Sequence, residues 1–369
     1  MPPRHHLLIL GVIALLTLAG CGTSSKACNL SGCCGAGTDT CRVPQFLYAT
    51  GLTGQVTGFP VAAGGALGTP TSITGPTMTL GMTALNNQFL YVSDFHNSSL
   101  DGWSINLGTG ALTPVPGSPF SLGLLSFDAG LATNRTANVI YVAEAAKIGA
   151  FKADATGALT ALSGSPFAAG TNIFLTVDPQ SRFLFASELD PPGGVDAFTI
   201  DSTGALTSVA GSPFPAIPNF VGDTRPNAVV VDSSGSFVYL ALGGTNQIAA
   251  FSIVTPSGAL NPVPGSPFAA GNTPLEMVVA NNFLYVSNAL DGTLSGYSIA
   301  PATGILTPLS GSPFQIRGAA LATDQAGSIL YVSSVGGIQA LTIDSSGGLT
   351  PIAGSPFPSS PATVLTFVQ

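Results

Sequence analysis

The sequence predicts an all-β protein, a seven-bladed β-propeller with four-stranded antiparallel blades, on three observations. The tetrapeptide Gly-Ser-Pro-Phe occurs six times, at intervals of 43 to 54 residues. A β-rich run of the Leu-Tyr-Val-Ser type comes once in each repeat, and a small residue followed by an apolar one lies between the two. Repeats of roughly 40–50 residues with four short strands are typical of propeller blades. The serines of the tetrapeptide are Ser118, Ser165, Ser212, Ser266, Ser312 and Ser355.

Each repeat divides into four strands, which we name a to d. Strand a is an apolar run such as 228–231, strand b is the Tyr-Val run, and strand c carries a small residue before an apolar one, as in Ala250-Phe251. Strand d is predicted to contain Ala-Leu-Thr and to run on to Gly-Ser-Pro-Phe. Proline suits this outermost strand because its missing N–H costs no ladder bond there and discourages pairing between edges.

The two ends of the repeated region predict how the ring closes. The first repeat begins at strand b, over 46–50, without a strand a of its own, and an unassigned apolar run follows the last repeat at 362–367. We expect this C-terminal strand to complete the first blade, which gives seven blades and leaves only short protected edges. Two stacked domains are the alternative, but no linker interrupts the period.

The composition excludes other classes of protein. Only 7% of the residues are charged, whereas exposed helix faces are usually lined with charged residues, so a large helical protein is not expected. The 45% hydrophobic content is too high for a disordered chain. Nine basic against seventeen acidic residues, with no basic run, make nucleic acid a poor partner. After residue 20 no apolar run is long enough to cross a bilayer.

Residues 1–20 have the pattern of a secretory signal peptide, with Arg4 before an apolar stretch and small residues before a cysteine. The sequence Leu-Ala-Gly followed by Cys21 resembles the bacterial lipobox. This resemblance implies a lipoprotein in which Cys21 is lipidated and anchors the protein to a membrane of the cell envelope, in the periplasm or on the outer surface. The alternative is a plain signal peptide with a chance cysteine.

Residues 21–42 are interpreted as a lipidated, Cys-rich tether before a propeller at 43–369. Four cysteines in an exported segment predict two disulfide bonds, for which three pairings are open. A four-thiolate metal site is the alternative, although such sites usually contain paired Cys-x-x-Cys spacings. The candidate cysteines are Cys28, Cys33, Cys34 and Cys41.

The Tyr-Val-Ser-Asn run at 285–288 and the repeated Gly-Ala-Leu-Thr resemble the seven-bladed propeller lactonases, a group that includes 6-phosphogluconolactonase and the propellers with Tyr-Val-Thr-Asn repeats. The resemblance covers 43–369. It implies catalytic residues at the mouth of the channel. The family pattern has Pro-Arg-His at the start of blade 5, Ala-Glu at the start of blade 6 and Arg after the Ser-Asn of blade 6.

One of these four catalytic positions matches the family pattern. Asn227 and Ala228 stand in place of the Arg and His, and Ala289 stands in place of the second Arg. Glu276 matches. The resemblance implies that Glu276 is the base that opens a lactone, whereas the cation that would stabilise the developing oxyanion is missing.

Some charged residues have no counterpart at the same position in the other repeats, and these are predicted to lie at the mouth of the channel. The residues that end strand b in blades 2, 3 and 4 are all acidic, and arginines precede strand a in blades 5 and 7. We therefore expect a site for a polar ligand there, with Ca²⁺ as a candidate cofactor on Asp94, Glu144 and Glu188. Solvated loop charges without a ligand are the alternative. The candidate binding residues are Asp94, His96, Glu144, Glu188, Arg225, Asn288 and Arg317.

Three functions follow from the sequence. The favoured hypothesis is a monomeric, lipid-anchored binding module that recognises an envelope protein or a small polar or sugar-like ligand through a degenerate lactonase site. The first alternative is a lactonase, a carboxylic ester hydrolase, that uses Glu276. The second alternative is a structural surface protein. Turnover of a lactone separates the enzyme from the other two.

Overall fold

The computed structural model of the protein describes residues 43–122, 130–144 and 146–369. From Gln45 to Val368 the chain forms seven antiparallel sheets, each with four main strands, arranged as a seven-bladed propeller. The described residues contain no helix that is long and apolar enough to cross a membrane. The predicted signal peptide, Cys21 and the four candidate disulfide cysteines lie outside the described residues.

Strands a and b are the inner two strands of each blade. From blade 1 to blade 7, strand a spans Val364–Val368, Met82–Leu85, Leu131–Asn134, Asn172–Val177, Pro226–Val231, Pro274–Ala280 and Leu321–Thr323. In the same order, strand b spans Gln45–Thr50, Phe89–Asp94, Val139–Glu144, Phe183–Glu188, Phe237–Leu242, Phe283–Asn288 and Ile329–Ser334. Strand b is almost continuously buried because blades on both sides cover its two faces.

Strands c and d are the outer two strands. Strand c spans Gln55–Val61, Ser99–Ile105, Lys147–Ala153, Gly194–Ile200, Gln247–Val254, Thr293–Ile299 and Gly337–Ile343. Strand d spans Thr71–Thr74, Leu112–Pro114, Leu159–Ala161, Leu206–Ser208, Ala259–Pro262, Leu306–Pro308 and Leu349–Pro351. Short additional strands lie at Phe120–Ser121, Phe167–Ala168, Phe214–Pro215 and Phe268–Ala269.

The predicted closure of the ring by the C-terminal strand is confirmed. Strand a of blade 1 pairs antiparallel with strand b of the same blade, in a register from Phe46 opposite Val368 to Thr50 opposite Val364. The two ends of the repeated region therefore meet in one sheet. Strand b of blade 1 is thereby paired on both sides, with strand c and with the C-terminal strand.

Gly-Ser-Pro-Phe does not continue strand d as predicted, because the chain leaves the sheet in a turn at this motif. The serine hydroxyl then accepts the N–H of the small residue in strand c, for example Ser312 from Gly296 at 3.0 Å. This bond occurs at all six copies and replaces the missing ladder bond. After the turn, the phenylalanine pairs back onto strand c, as Phe120 does with Leu100.

In the blades that carry it, the tyrosine of strand b links its blade to the next by a hydrogen bond. Its hydroxyl donates to the carbonyl of the glycine that precedes strand d of the following blade, for example Tyr285 to Gly347 at 2.7 Å. Tyr331 of blade 7 reaches Gly65 of blade 1 at 3.1 Å, across the closure of the ring. Blade 4 carries Phe185 at the same position and packs without the hydroxyl. The repeated Tyr and Gly are thus explained by contacts between blades.

Tyr285→Phe is expected to lower the free energy of unfolding by roughly 1–2 kcal/mol, because the buried carbonyl of Gly347 loses its partner. Since Phe185 already packs at the equivalent position, the variant keeps the shape of the ring and tests the hydrogen bond alone. Urea denaturation of the two proteins measures the difference. Equal midpoints with equal slopes would show that the hydrogen bond does not contribute to stability.

Candidate functional site in the central channel

The innermost strands of all seven blades enclose a channel that contains a cavity of about 400 Å³. Most of the residues that line it are apolar, such as Leu131, Phe174, Val229 and Leu321. Among the described lining residues, Glu276 is the one ionisable side chain. The channel is therefore an apolar space with a single acid, which is an unusual environment for a carboxyl group.

A bulge in strand a of blade 6 positions Glu276. Pro274 pairs with Asn288 and Met277 pairs with Val286, so two residues of strand a lie opposite the single Ser287 of strand b. The Glu276 N–H donates to Ser287 Oγ at 3.1 Å, and this hydroxyl lies 3.2 Å from the Ala319 carbonyl oxygen of blade 7. The backbone of Glu276 is thus held by its own blade and linked to the next.

Burial raises the pKa of the Glu276 carboxyl from its ordinary value of 4.5 to about 8. No ion pair among the described residues offsets this loss of hydration, because the two that occur involve other acids, Asp178 and Asp223. A carboxyl with a pKa near neutrality can both take up and release a proton at working pH, which is the requirement for a general acid or base.

The raised pKa of Glu276 should be visible in the pH dependence of the free energy of unfolding. Between pH 4.5 and pH 8 the folded chain keeps a proton on Glu276 that the unfolded chain has lost, so the free energy of unfolding falls as the pH rises through this window. From pH 5 to pH 8.5 we expect wild type to lose on the order of 3 kcal/mol more than Glu276→Gln. Chemical denaturation at a series of pH values measures this, and parallel curves would contradict the shifted pKa.

The three acids predicted to face one another at the mouth turn instead into their own blades. Asp94, Glu144 and Glu188 are each at most 5% exposed. Both oxygens of Asp94 accept hydrogen bonds from its own turn, from the N–H groups of His96 and Asn97 and from the Asn97 side chain. The Glu144 carboxyl lies against Gly149 of strand c in the same blade.

Glu188 has a second acid as its neighbour. Burial, followed by the repulsion of Asp196, raises the pKa of Glu188 to about 7, against the lowering effect of the Asp190 N–H. Among the described residues, no three His, Cys, Asp or Glu side chains come together as a metal-binding group. Asp94, Glu144 and Glu188 are therefore not brought together as one group, because each carboxyl lies within a different blade.

The remaining predicted binding residues lie on the mouth or just below it. Arg225 is exposed and pairs with Asp223, at 3.0 Å between Nε and Oδ2. Arg317 is exposed beside the b–c turn of blade 6, and His96 is exposed in the b–c turn of blade 2. Asn288 is buried and donates to Thr293 and Ser295. These residues are distributed over several blades and do not form one cluster around Glu276.

Sequence reasoning missed the acids on strand c. Asp196 and Asp101 occupy the same register position in blades 4 and 2, directly opposite Ala186 and Val92. Other blades carry Thr57, Gly149 or Ser295 there. An alignment of the repeats at this position would have shown two acids among uncharged residues, which include Gln339 in blade 7. Burial and the neighbouring Asp94 raise the pKa of Asp101 to about 6.

Comparisons with known proteins agree with this architecture. The family model "Lactonase, 7-bladed beta-propeller" matches residues 195–320, a segment that includes Glu276. A proposed 6-phosphogluconolactonase from Bacteroides fragilis has a TM-score of 0.73 and 18% identity, covering 90% of this chain and 100% of its own. The periplasmic gluconolactonase of Pseudomonas aeruginosa has a TM-score of 0.69 and 15% identity, covering 89% and 99%. No curated protein matches significantly.

The fold and the channel define a seven-bladed β-propeller, and residues 195–320 of it match the family model of the propeller lactonases. The predicted resemblance to the 6-phosphogluconolactonase-like propellers is confirmed by the family match and by the shared seven-bladed ring. Three positions of the expected catalytic pattern are uncharged in this chain, namely Asn227, Ala228 and Ala289.

Proposed function

We propose that the protein is a lactone hydrolase in which Glu276 transfers the proton. The observation that carries the proposal is the single carboxyl with a pKa of about 8 in an apolar channel of about 400 Å³. The family match over residues 195–320 supports it, because that segment contains Glu276. The lactonase alternative is thereby preferred to a non-catalytic binding module.

The reaction needs one proton to move twice. The Glu276 carboxylate takes a proton from a water molecule as the water oxygen attacks the lactone carbonyl carbon. The resulting tetrahedral intermediate breaks its bond to the ring oxygen, and the Glu276 acid returns the proton to that oxygen as it leaves. The product is the open hydroxy acid, and Glu276 is again a carboxylate.

Substrate selection should follow from the lining of the channel. The described lining contains no cation that could polarise the carbonyl or bind a charged substituent. Asn227, at the position of the family's Arg, donates instead to the Pro274 carbonyl at 2.8 Å and ties blade 5 to blade 6 close to Glu276. We therefore expect an uncharged lactone to be a better substrate than a phosphorylated one.

Hydrolysis assays on the purified chain test the proposal. The substrates are δ-valerolactone, glucono-δ-lactone and 6-phosphoglucono-δ-lactone, each corrected for spontaneous opening. Turnover of an uncharged lactone that rises with pH around pH 8 is the expected result. If none of the three is hydrolysed above the spontaneous rate, the hydrolase proposal is wrong and the binding-module hypothesis takes its place.

We also propose that the protein is exported and anchored in the cell envelope through Cys21. The support is the sequence Leu-Ala-Gly before this cysteine, which lies outside the described residues. Firm attachment needs two or more acyl chains. Mass spectrometry of the N-terminal peptide should find a lipid-modified Cys21 as the first residue. An unmodified Cys21, or cleavage at another position, would contradict anchoring.

A further inference from the structure

We propose that blade 4 contains a divalent-cation site, suited to Ca²⁺, formed by the carboxyl groups of Glu188 and Asp196 and the amide oxygen of Asn172. The three side chains come from strands b, c and a of this blade, and each is at most 5% exposed. This site differs from the cation site expected from the sequence. The two share only Glu188.

An unpartnered amide oxygen points to a ligand. Asn172 is 1% exposed, and its Oδ1 has no hydrogen-bond partner among the described residues. The Nδ2 of the same amide donates to Gly170 O at 2.7 Å and to Asp196 Oδ2 at 3.2 Å. Exchanging the two amide atoms would set an oxygen against these two acceptors, so this orientation is the favourable one. A buried oxygen of this kind needs a donor or a cation.

The backbone of Gly170 brings the two acids together. A Cβ atom at this position would collide with Glu188 Oε2, so only a glycine leaves room for the carboxyl. The Gly170 N–H donates to Asp196 Oδ2 at 2.8 Å, so the same residue contacts both acids. Asn172 lies directly opposite Glu188 in the antiparallel pair, where side chains on one face are neighbours.

The charges of this cluster lack a counterion among the described side chains. The ion pairs of the described residues, Arg182 with Asp178 and Arg225 with Asp223, both lie elsewhere. Two carboxyl groups and one amide oxygen form a set of hard oxygen donors. Ca²⁺ accepts such donors in irregular geometry, whereas Mg²⁺ requires a near-ideal octahedron and keeps its water.

Blade 2 provides a matched control. Asp94 and Asp101 stand at the register positions of Glu188 and Asp196. The acids of both blades accept hydrogen bonds, Asp196 from Gly170, Asn172 and Ser212 and Asp94 from its own turn. However, the described residues of blade 2 contain no buried amide oxygen without a partner, such as that of Asn172 in blade 4. Asp101 is only half-buried. If Ca²⁺ acted only through the overall negative charge, substitutions in either blade would change its effect equally. If it binds the proposed site, only the substitutions in blade 4 abolish its effect.

The test uses the purified full chain, stripped with EDTA, in thermal unfolding and calorimetric titration with CaCl₂, MgCl₂ or NaCl at equal ionic strength. We expect one Ca²⁺ per chain and a rise in Tm of roughly 5 °C at a hundredfold excess over Kd, with a smaller rise for Mg²⁺. Glu188→Gln and Asp196→Asn should abolish the rise, and Asp101→Asn should retain it.

Three results would overturn the proposal. The first is a wild-type protein without a Ca²⁺-dependent shift or heat of binding. The second is binding of wild-type affinity in Glu188→Gln or Asp196→Asn, and the third is loss of binding in Asp101→Asn. If the variants of the acids do not fold, Asn172→Ala decides the question, because it removes only the neutral ligand. We expect its Kd to be at least about tenfold weaker, and an unchanged Kd would exclude the site.

Discussion

Glu276→Gln is expected to lower kcat/KM for lactone hydrolysis by about 10²- to 10⁴-fold, the usual contribution of a general acid or base. Glutamine keeps the size of the side chain but cannot take a proton from water. In wild type, kcat/KM should rise with pH and level off above the pKa of about 8, because only the carboxylate is the active base. This rise should disappear in the variant.

Asp101→Asn is the matched control for this experiment. Asp101 also has a raised pKa, but it lies on strand c of blade 2 and does not line the channel. Its replacement should leave both the rate and the pH profile unchanged. A wild-type rate in Glu276→Gln would show that another group carries the reaction, and loss of activity in Asp101→Asn would show that the assay responds to charge in general.

Deletion of residues 361–369 is expected to unfold the protein or to leave it insoluble. The deletion removes strand a of blade 1, in which Leu365 and Val368 are buried in the core. It also removes two hydrogen bonds to neighbouring blades. The Thr366 hydroxyl donates to the Met82 carbonyl of blade 2, and the Ala362 carbonyl accepts from the Ser333 hydroxyl of blade 7. Loss of the apolar burial alone costs roughly 5 kcal/mol or more, which is comparable to the whole stability of many domains.

Thermal unfolding and size-exclusion chromatography of the truncated chain check this expectation. A chain that lacks only Gln369 is the control, because this residue follows the last strand and should be dispensable. A truncated protein that stays monomeric and melts at the wild-type temperature would contradict the role of the C-terminal strand in closing the ring.

The blades could be predicted from the sequence because each one repeats the same local pattern. The Tyr-Val run recurs since strand b is buried on both faces in every blade, and the unpaired run at 362–367 identified the closing strand. The extent of strand d was predicted wrongly. Gly-Ser-Pro-Phe forms a turn in which the serine hydroxyl replaces a ladder bond, as Ser312 does for Gly296. That bond depends on a residue of strand c that lies 15 or 16 residues earlier in the chain.

The candidate site was predicted only in part. Glu276 was found through the family pattern, and the structure places it in the channel. The sequence predicted that Asp94, Glu144 and Glu188 converge, and the structure does not bring them together, although they do share one register position. Equal register places residues at equivalent points of their blades, but it does not direct their side chains to one centre. Asp94 bonds to its own turn, and Glu188 lies beside Asp196.

The sequence by itself determined the number of blades, the order of their strands and the way the ring closes, because these follow from apolar periodicity and from residues that repeat. Only the tertiary structure decided which acids are isolated, paired or hydrogen-bonded. The protonation of Glu276 depends on the apolar walls that six other blades contribute to the channel. The environment of Glu188 depends on Gly170 and Asp196, which reach it through folding of the chain. Solvation and charge are properties of the assembled ring, so no local pattern could state them.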